Sequence, residues 1–253
     1  MPFTALGLGP SITKAVREVG YTEPTPIQTK AIPVVLTGHD VIGIAQTGTG
    51  KTAAFVLPIL QNLSTHGSAM GRRGMRALIV APTRELVVQI EENVRAYSRH
   101  TRLRCATVFG GVGEQPQIKA LRAGTEIVIA TPGRLLDLMQ QGHVDFSLVE
   151  VAVLDEADRM LDMGFLPSIR QIIRKLPQKR QTLMFSATLS KEIEALTHEF
   201  QNSPQVVQVG KRANPAESVE QLVYEVPKSR KLPLLLHLLR DRGLESVLVF
   251  SRT

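Results

Sequence analysis

Apolar positions along the chain follow two alternating patterns. Short runs with apolar residues at consecutive positions, VIGIA (41–45), ALIVA (77–81), ATVF (106–109), EIVIA (126–130), VAVL (151–154), TLMF (182–185) and VVQV (206–209), read as strands. Most lack polar/apolar alternation, as expected of parallel strands covered on both faces. Between them the apolar spacing is helical. Ile12, Ala15, Val16 and Val19 repeat at i, i+3, i+4, i+7, with Gly20 placed to end that helix. Leu86, Ile90, Val94 and Tyr97 form a second stripe. Strands alternating with helices predict βαβ units: an α/β domain with a doubly wound, mainly parallel sheet and helices on both faces. Ligands then belong at the carboxyl ends of the strands. Downstream, KRANPAES (211–218) reads as a polar linker. It is followed by a strand-like VEQLVYEV (219–226), a helical KLPLLLHLLRDRG (231–243) and a strand-like ESVLVFSRT (245–253). Strand, helix and strand alone cannot bury both faces, so 219–253 is expected to be the truncated start of a second domain. Residues 67–74, GSAMGRRG, read as a basic loop.

Composition narrows the class. Of 253 residues 43% are apolar but only 4% aromatic, with no tryptophan, which predicts an aliphatic core. The formal charge of +7 favours a polyanionic partner such as nucleic acid. No apolar run approaches the ~18 residues of a spanning helix, and no basic amphipathic helix suggests a membrane surface. MPFTALGLGPS lacks the charged start and apolar run of a signal peptide. Cys105 is the only cysteine, so neither a disulfide nor a thiolate zinc cluster is available, which fits a reducing cytoplasm. Cys105 itself reads as a small buried apolar residue.

Candidate chemistry starts at VIGIAQTGTGKTAAF (41–55), a strand, a glycine-rich turn and a helix. Gly48 and Gly50 permit backbone angles that turn successive N–H groups inward, and the helix start adds its positive dipole end. Lys51 would reach the β- and γ-phosphates, and Thr52 would offer its hydroxyl to Mg²⁺. Ala45 stands where the general phosphate-loop pattern has glycine. A second cluster closes EVAVLDEADRMLD (150–162), with Asp155, Glu156 and Asp158 crowded at a strand end. Alone it reads as a solvated helix start. Beside a phosphate loop it reads as a metal and water site: Asp155 holds Mg²⁺, largely through water, and Glu156 orients and deprotonates the attacking water. Asp158 is too far along the turn to share that metal and suits a hydrogen bond to another loop.

AQTGTGKT, DEAD and SAT (186–188), in that order, together with GYTEPTPIQ (20–28), PTREL (82–86), GG (110–111), TPGR (131–134) and VLVFSRT (247–253), resemble the DEAD-box RNA helicases. The resemblance runs from Phe3 to the last residue, and the bacterial RhlE type looks nearest. Ala45 matches this family's own form of the loop. The resemblance implies a Q-motif segment (1–29), a RecA-like nucleotide-binding domain (30–210), the linker (211–218) and the start of a second RecA-like domain (219–253), with ATP and RNA bound across the cleft between the domains. It assigns nucleotide binding to Phe3, Tyr21, Thr25, Gln28, Ala45, Gln46, Thr47, Gly48, Thr49, Gly50, Lys51 and Thr52. Gln28 would read the adenine edge, Phe3 would stack on the ring and Tyr21 would support the pocket; either aromatic could equally be core. Thr25 and Pro26 also read as a helix cap and first helical proline. Lys51, Asp155 and Glu156 carry the chemistry. Ser186, Ala187 and Thr188 would couple the ATP state to strand separation through Asp158, although Ser and Thr here could simply cap the next helix.

For RNA the resemblance implies Pro82, Thr83, Arg84, Gly110, Gly111, Thr131, Pro132, Gly133 and Arg134. They would make backbone and 2′-hydroxyl contacts with little sequence preference. Arg84 and Arg134, both at helix starts, could instead form internal ion pairs, Arg84 with its neighbour Glu85. The clusters Arg72, Arg73, Arg76 and Arg99, Arg102, Arg104 read as solvated charge. The family's arginine fingers lie on a motif this chain does not contain, so it is expected to bind nucleotide and RNA weakly and turn over little. A DNA translocase, an RNA clamp with a vestigial nucleotide cycle, and self-association through edge strands of the tail are the competing readings.

Overall fold

In the computed structural model, residues 2–65, 73–209, 220, 222–241 and 246–251 are described. Most of the expected basic loop and the linker at 211–218 lie outside them. By contacts, the chain divides into one unit at 1–213 and another at 214–253.

In the first unit a short 3₁₀ turn (Phe3–Leu6) precedes α1 (Pro10–Glu18) and α2 (Pro26–Leu36). Strand and helix then alternate: β1 (Val41–Ile44), α3 (Lys51–Thr65), β2 (Ala77–Val80), α4 (Arg84–Ser98), β3 (Cys105–Val108), α5 (Gln115–Arg122), β4 (Ile127–Ala130), α6 (Pro132–Gln140) and β5 (Val151–Leu154). The helices α7 (Ala157–Asp162) and α8 (Leu166–Ile173) follow, then β6 (Gln181–Ser186), α9 (Lys191–Phe200) and β7 (Gln205–Gln208). All seven strands coincide with the apolar runs read from the sequence. Their order is β3-β4-β2-β5-β6-β1-β7, every pairing parallel.

Parallel pairing needs a crossover between consecutive strands, and the crossovers cover both faces. Along β2, Ala77 and Ile79 face one apolar layer and Leu78 and Val80 the other. The first layer is closed by α1–α4 through residues such as Ile12, Ile27, Phe55 and Ile90. The second is closed by α5–α9 through Ile118, Leu135, Met160, Ile172 and Leu196. Burial on both sides is why these strands show no alternation.

The strand order also sorts the candidate residues. The phosphate loop leaves β1, the acidic segment leaves β5 and Ser-Ala-Thr leaves β6, three adjacent strands. The expected RNA residues leave β2, β3 and β4, also adjacent.

The second unit holds a short 3₁₀ turn (Lys228–Arg230) and α10 (Lys231–Asp241). Residues 222–226 and 246–251, within the runs expected as strands, have no regular structure. A helix closes its hydrogen bonds locally, whereas a strand exists only against a partner. Val223 (96% exposed) and Phe250 (87% exposed) show how little of this stretch is covered. Among the described residues no helix is long and apolar enough to cross a membrane.

Candidate nucleotide and RNA sites

The phosphate loop is anchored at its root. Ala45 N donates to Ser186 O (3.1 Å), so the chain leaves β1 beside the end of β6. Gly48 (φ 82°) and Gly50 (φ 90°) then take left-handed angles that turn the loop into α3. Thr49 Oγ1 donates to Gln46 O (2.7 Å). Lys51 is buried, and its Nζ donates to Ala45 O (2.9 Å), folding the side chain back over its own loop.

Gln28 is tied to this loop. It is 2% exposed, its Oε1 accepts from Thr25 N (3.0 Å) and its Nε2 donates to Gly50 O (3.1 Å). The first bond is one half of a capping box on α2. The Thr25 hydroxyl faces the box without completing a hydrogen bond and is buried. The expected adenine reader therefore turns its amide to the phosphate loop in this structure. Each bond uses one valence of the amide, so Oε1 keeps a second lone pair and Nε2 a second N–H for a base edge.

Phe3 and Tyr21 divide the roles expected of them. Phe3 is 5% exposed and packs against the first apolar layer, while Tyr21 is 38% exposed. Their rings stack at 6.4 Å between centroids, 19° apart. Both line a cavity of about 350 Å³ with Arg17 and Gly20. Tyr21 also borders a cleft of about 320 Å³ walled by Thr47, Gly48, Lys51, Thr52, Asp155 and Glu156. The Tyr21 ring thus borders both the cavity beside Phe3 and the cleft at the phosphate loop.

Three hydrogen-bonding side chains of the cleft were not singled out as site residues. Gln89, Asn93 and Tyr97 line it from α4. Tyr97 OH donates to Asn93 Oδ1 (2.9 Å) and lies 3.1 Å from the Tyr21 hydroxyl, and burial pushes its phenol well above the ordinary range. The signal was partial: Gln89 and Asn93 lie at i, i+4 beside the apolar stripe, and Tyr97 ends that stripe with a hydroxyl.

Asp155 closes the cleft opposite the loop. It is 2% exposed, its amide donates to Val80 O (2.9 Å) and its Oδ1 accepts from Glu156 N (3.0 Å). Burial pushes its carboxyl up to about 6, the charges of Glu156 and Asp158 act in the same direction, and Lys51 opposes them. Glu156 has φ 52° and ψ 52°, one of two non-glycine residues at positive φ among those described. Such a conformation costs about 1–3 kcal/mol and persists where its surroundings impose it. Here Asp155 holds its amide, and Arg159 Nη1 donates to its Oε2 (3.1 Å). Asp158 makes the contact expected of it. Its Oδ2 accepts from Ala187 N (3.0 Å), Thr188 N (3.1 Å) and Thr188 Oγ1 (3.3 Å). The helix-cap alternative goes to Ser190, whose side chain accepts from Ile193 N at α9.

The RNA candidates converge on the 109–113 loop. Arg84 lies over the Phe109 ring (5.0 Å to the centroid) instead of pairing with Glu85. Arg134 donates to Val112 O (3.2 Å) and pairs with Asp137 (3.7 Å). Gly111 takes φ 79° between them. Thr83 caps α4, accepting from Leu86 N (3.3 Å). Thr131 precedes α6, with Gly133 exposed and Gly110 exposed at the loop tip. Pro82 and Pro132 are buried and shape the chain instead of offering a surface. The residue not anticipated is Gln117, which is 8% exposed. Its Nε2 donates to Phe109 O and Gly113 O and its Oε1 accepts from Phe109 N, all at 3.1 Å.

Residues 25–196 match the DEAD/DEAH box helicase model. The chain belongs to this family. It is 45% identical over 255 residues to the ATP-dependent RNA helicase RhlB of Pseudomonas syringae pv. tomato, covering 98% of this chain and 64% of that protein. It is 44% identical to DEAD-box ATP-dependent RNA helicase 30 of Arabidopsis thaliana, covering 96% and 42%. It is 40% identical to the DEAD-box ATP-dependent RNA helicase CshA of Geobacillus kaustophilus, covering 99% and 53%. The crystal structure of a DEAD box protein from Methanococcus jannaschii superposes with a TM-score of 0.77 at 33% identity, covering 96% of this chain and 64% of that one. The chain thus spans about two thirds or less of these relatives' length, and its parallel sheet has the RecA-like arrangement the sequence implied.

Proposed function

We propose that this chain is the nucleotide-binding core of an ATP-dependent RNA helicase, in which RNA-stimulated ATP hydrolysis drives local duplex separation. The observation that carries the reading is the cleft where the phosphate loop, Lys51, Thr52, Asp155 and Glu156 meet on β1 and β5.

The residues fit a magnesium triphosphate. Asp155 is a buried carboxyl held up near 6 by desolvation, and a cation would relieve that cost. The Thr25 hydroxyl is buried without a full partner beside the loop. Thr52 and Asp155 would hold Mg²⁺, and the bound metal would offset charge developing on the phosphoryl oxygens. Lys51 must leave Ala45 O to reach a phosphate. Gln28 can keep its bond to Gly50 O and offer its second N–H and second lone pair to a base edge, which ties the phosphate loop to the base. Glu156, fixed by its backbone and by Arg159, orients the attacking water and accepts its proton. Asp158 carries any movement of this segment to Ala187 and Thr188 at the end of β6.

Backbone contacts from Arg84, Arg134 and the glycine loop support RNA as the polyanion, with little sequence preference. A DNA translocase and a vestigial clamp are less well supported: the relatives above are named RNA helicases, and all four catalytic and metal-binding positions are present. The RhlE-like branch, a second RecA-like domain beginning after 218 and supplying arginine fingers, a cytoplasmic location and self-association through the tail belong to the same proposal. The test is ATP turnover by the parent protein with and without single-stranded RNA. RNA-stimulated hydrolysis abolished by Glu156→Gln is expected; hydrolysis indifferent to both would overturn the reading.

A further inference from the structure

The amino ends of β2, β3 and β4 carry a feature that neither site uses. Two adjoining cavities of about 500 and 470 Å³ open there, sharing Thr101 and Leu103. Arg73, Arg76, His100 and Arg102 line the first, with the hydroxyls of Ser11 and Ser64. Arg95, Arg99 and Arg104 line the second. Among the described residues Glu126 is the sole carboxylate lining either.

The arginines are not equivalent. Arg76 is 4% exposed and fixed to Glu150 (2.6 Å) and Leu63 O (2.9 Å), so it forms a floor. Arg95 pairs with Glu91, Arg99 and His100 with Glu18, and Arg104 with Glu126. Arg73 and Arg102 are exposed and have no ion pair among the described residues. The rim beneath Arg73 is built for close approach. Gly124 has φ 71°, and a Cβ there would lie 2.9 Å from Arg73 Cβ and 3.2 Å from its carbonyl carbon. Gly124 O also accepts from Arg104 Nη2 (2.9 Å). One turn therefore seats two guanidinium-bearing residues on neighbouring sides of the groove.

We propose that this groove is a second RNA-backbone site, taking the strand that flanks the segment held at the carboxyl ends; the inference rests on the RNA reading above. The three strands whose carboxyl ends carry Arg84, the glycine loop and Arg134 present the groove at their amino ends, and β3 is the sheet edge. A four-residue strand spans only about 13 Å, so a chain passing around that edge meets both surfaces. Unpaired guanidinium forks beside hydroxyls suit phosphate oxygens. An acidic peptide would meet the same charges but has no reason to follow this path.

The test is fluorescence anisotropy of the 253-residue chain with labelled oligoribonucleotides of about 8 and about 30 nucleotides over a range of salt. Arg73→Gln/Arg102→Gln is compared with Arg174→Gln/Lys179→Gln, which removes the same charge from the segment that follows α8. For the long RNA the first variant should lower the slope of log K against log salt by about 1.4, two single-strand contacts at ~0.7 each, or about 25-fold in affinity between 1 M and 0.1 M salt. The short RNA and the charge-matched variant should be unchanged, and thermal melts of all the variants should coincide. Equal loss with both variants, equal loss for both lengths, or no loss would overturn the groove. In the last case a glutamate-rich peptide that loses affinity for the first variant would reassign the groove to a protein partner. Short RNA indifferent to Arg134→Ala would instead overturn the RNA reading itself.

Discussion

Replacing Gly50 by alanine should cost far more than the same change at Gly48, two positions earlier in the same loop. Both have positive φ, so each alanine pays the left-handed penalty of about 1–2 kcal/mol, partly offset by about 0.4–1 kcal/mol from stiffening the unfolded chain. At Gly48 nothing lies within 4 Å of the added Cβ, and the net cost should stay near 1 kcal/mol. At Gly50 the Cβ collides with Gln28 Nε2 and reaches 3.2 Å from Thr25 Oγ1. The Gln28 amide has to swing away, losing its bond to Gly50 O and weakening its bond to Thr25 N. That adds about 1–2 kcal/mol for buried groups left unpaired. For a unit of this size each kcal/mol is about 2–4 °C in Tm. Thermal melts should therefore fall by about 2–4 °C for Gly48→Ala and about 4–12 °C for Gly50→Ala. In a Gln28→Ala background the Gly50→Ala cost should shrink to that of Gly48→Ala, a coupling of about 1–2 kcal/mol in a double-mutant cycle. Equal costs at the two glycines, or no coupling to Gln28, would refute the claim that Gln28 holds the phosphate loop.

Three further outcomes can be checked on the same chain. Asp158→Ala should lower Tm by several degrees, because two backbone amides and the Thr188 hydroxyl lose a charged acceptor, and in the parent protein it should reduce unwinding more than ATP turnover. Without metal or nucleotide, the carboxyl of Asp155 sits higher folded (about 6) than its ordinary 3.8, so its favourable contribution is complete below pH 3.8 and is lost as pH rises through 6. Chemical denaturation should accordingly show Asp155→Asn matching the parent near pH 4 and more stable by about 1–3 kcal/mol at pH 8; a less stable variant at pH 8 would contradict the burial argument. Gln117→Ala should cost about 1–3 kcal/mol in urea denaturation and weaken binding of short RNA, since it frees the 109–113 loop that Arg84 and Arg134 approach.

The sheet was legible because its strands are buried on both faces, so the runs ending at Ala45, Ala81 and Ala130 stand out without alternation. The phosphate loop and the acidic segment were legible because their chemistry needs fixed residues at fixed spacing. What escaped depends on contacts between segments distant in sequence. Gln28 could be placed near a nucleotide, but its bond to Gly50, 22 residues on, has no local signal. Arg84 was weighed against its neighbour Glu85, whereas its partner is Phe109 from another crossover. Phe3 was read as a base-stacking residue with core as the alternative, and its burial follows from where the first turn packs on α1 and α2. Gln117 reads as one more polar residue on α5 until the loop it clamps is seen. The tail differs: its strand-like runs have no regular structure at 222–226 and 246–251, and a strand exists only against a partner.

The central claim is that β1, β5 and β6 present one magnesium-nucleotide site. Equilibrium binding of a fluorescent ATP analogue to the 253-residue chain, with Mg²⁺, tests it most directly beside Lys51→Ala and Glu156→Gln. The account predicts that Lys51→Ala loses at least about tenfold in affinity, one charged contact to phosphate being worth about 1.5–3 kcal/mol, while Glu156→Gln binds like the parent because its carboxylate serves water and not the nucleotide. Binding untouched by Lys51→Ala would contradict the account.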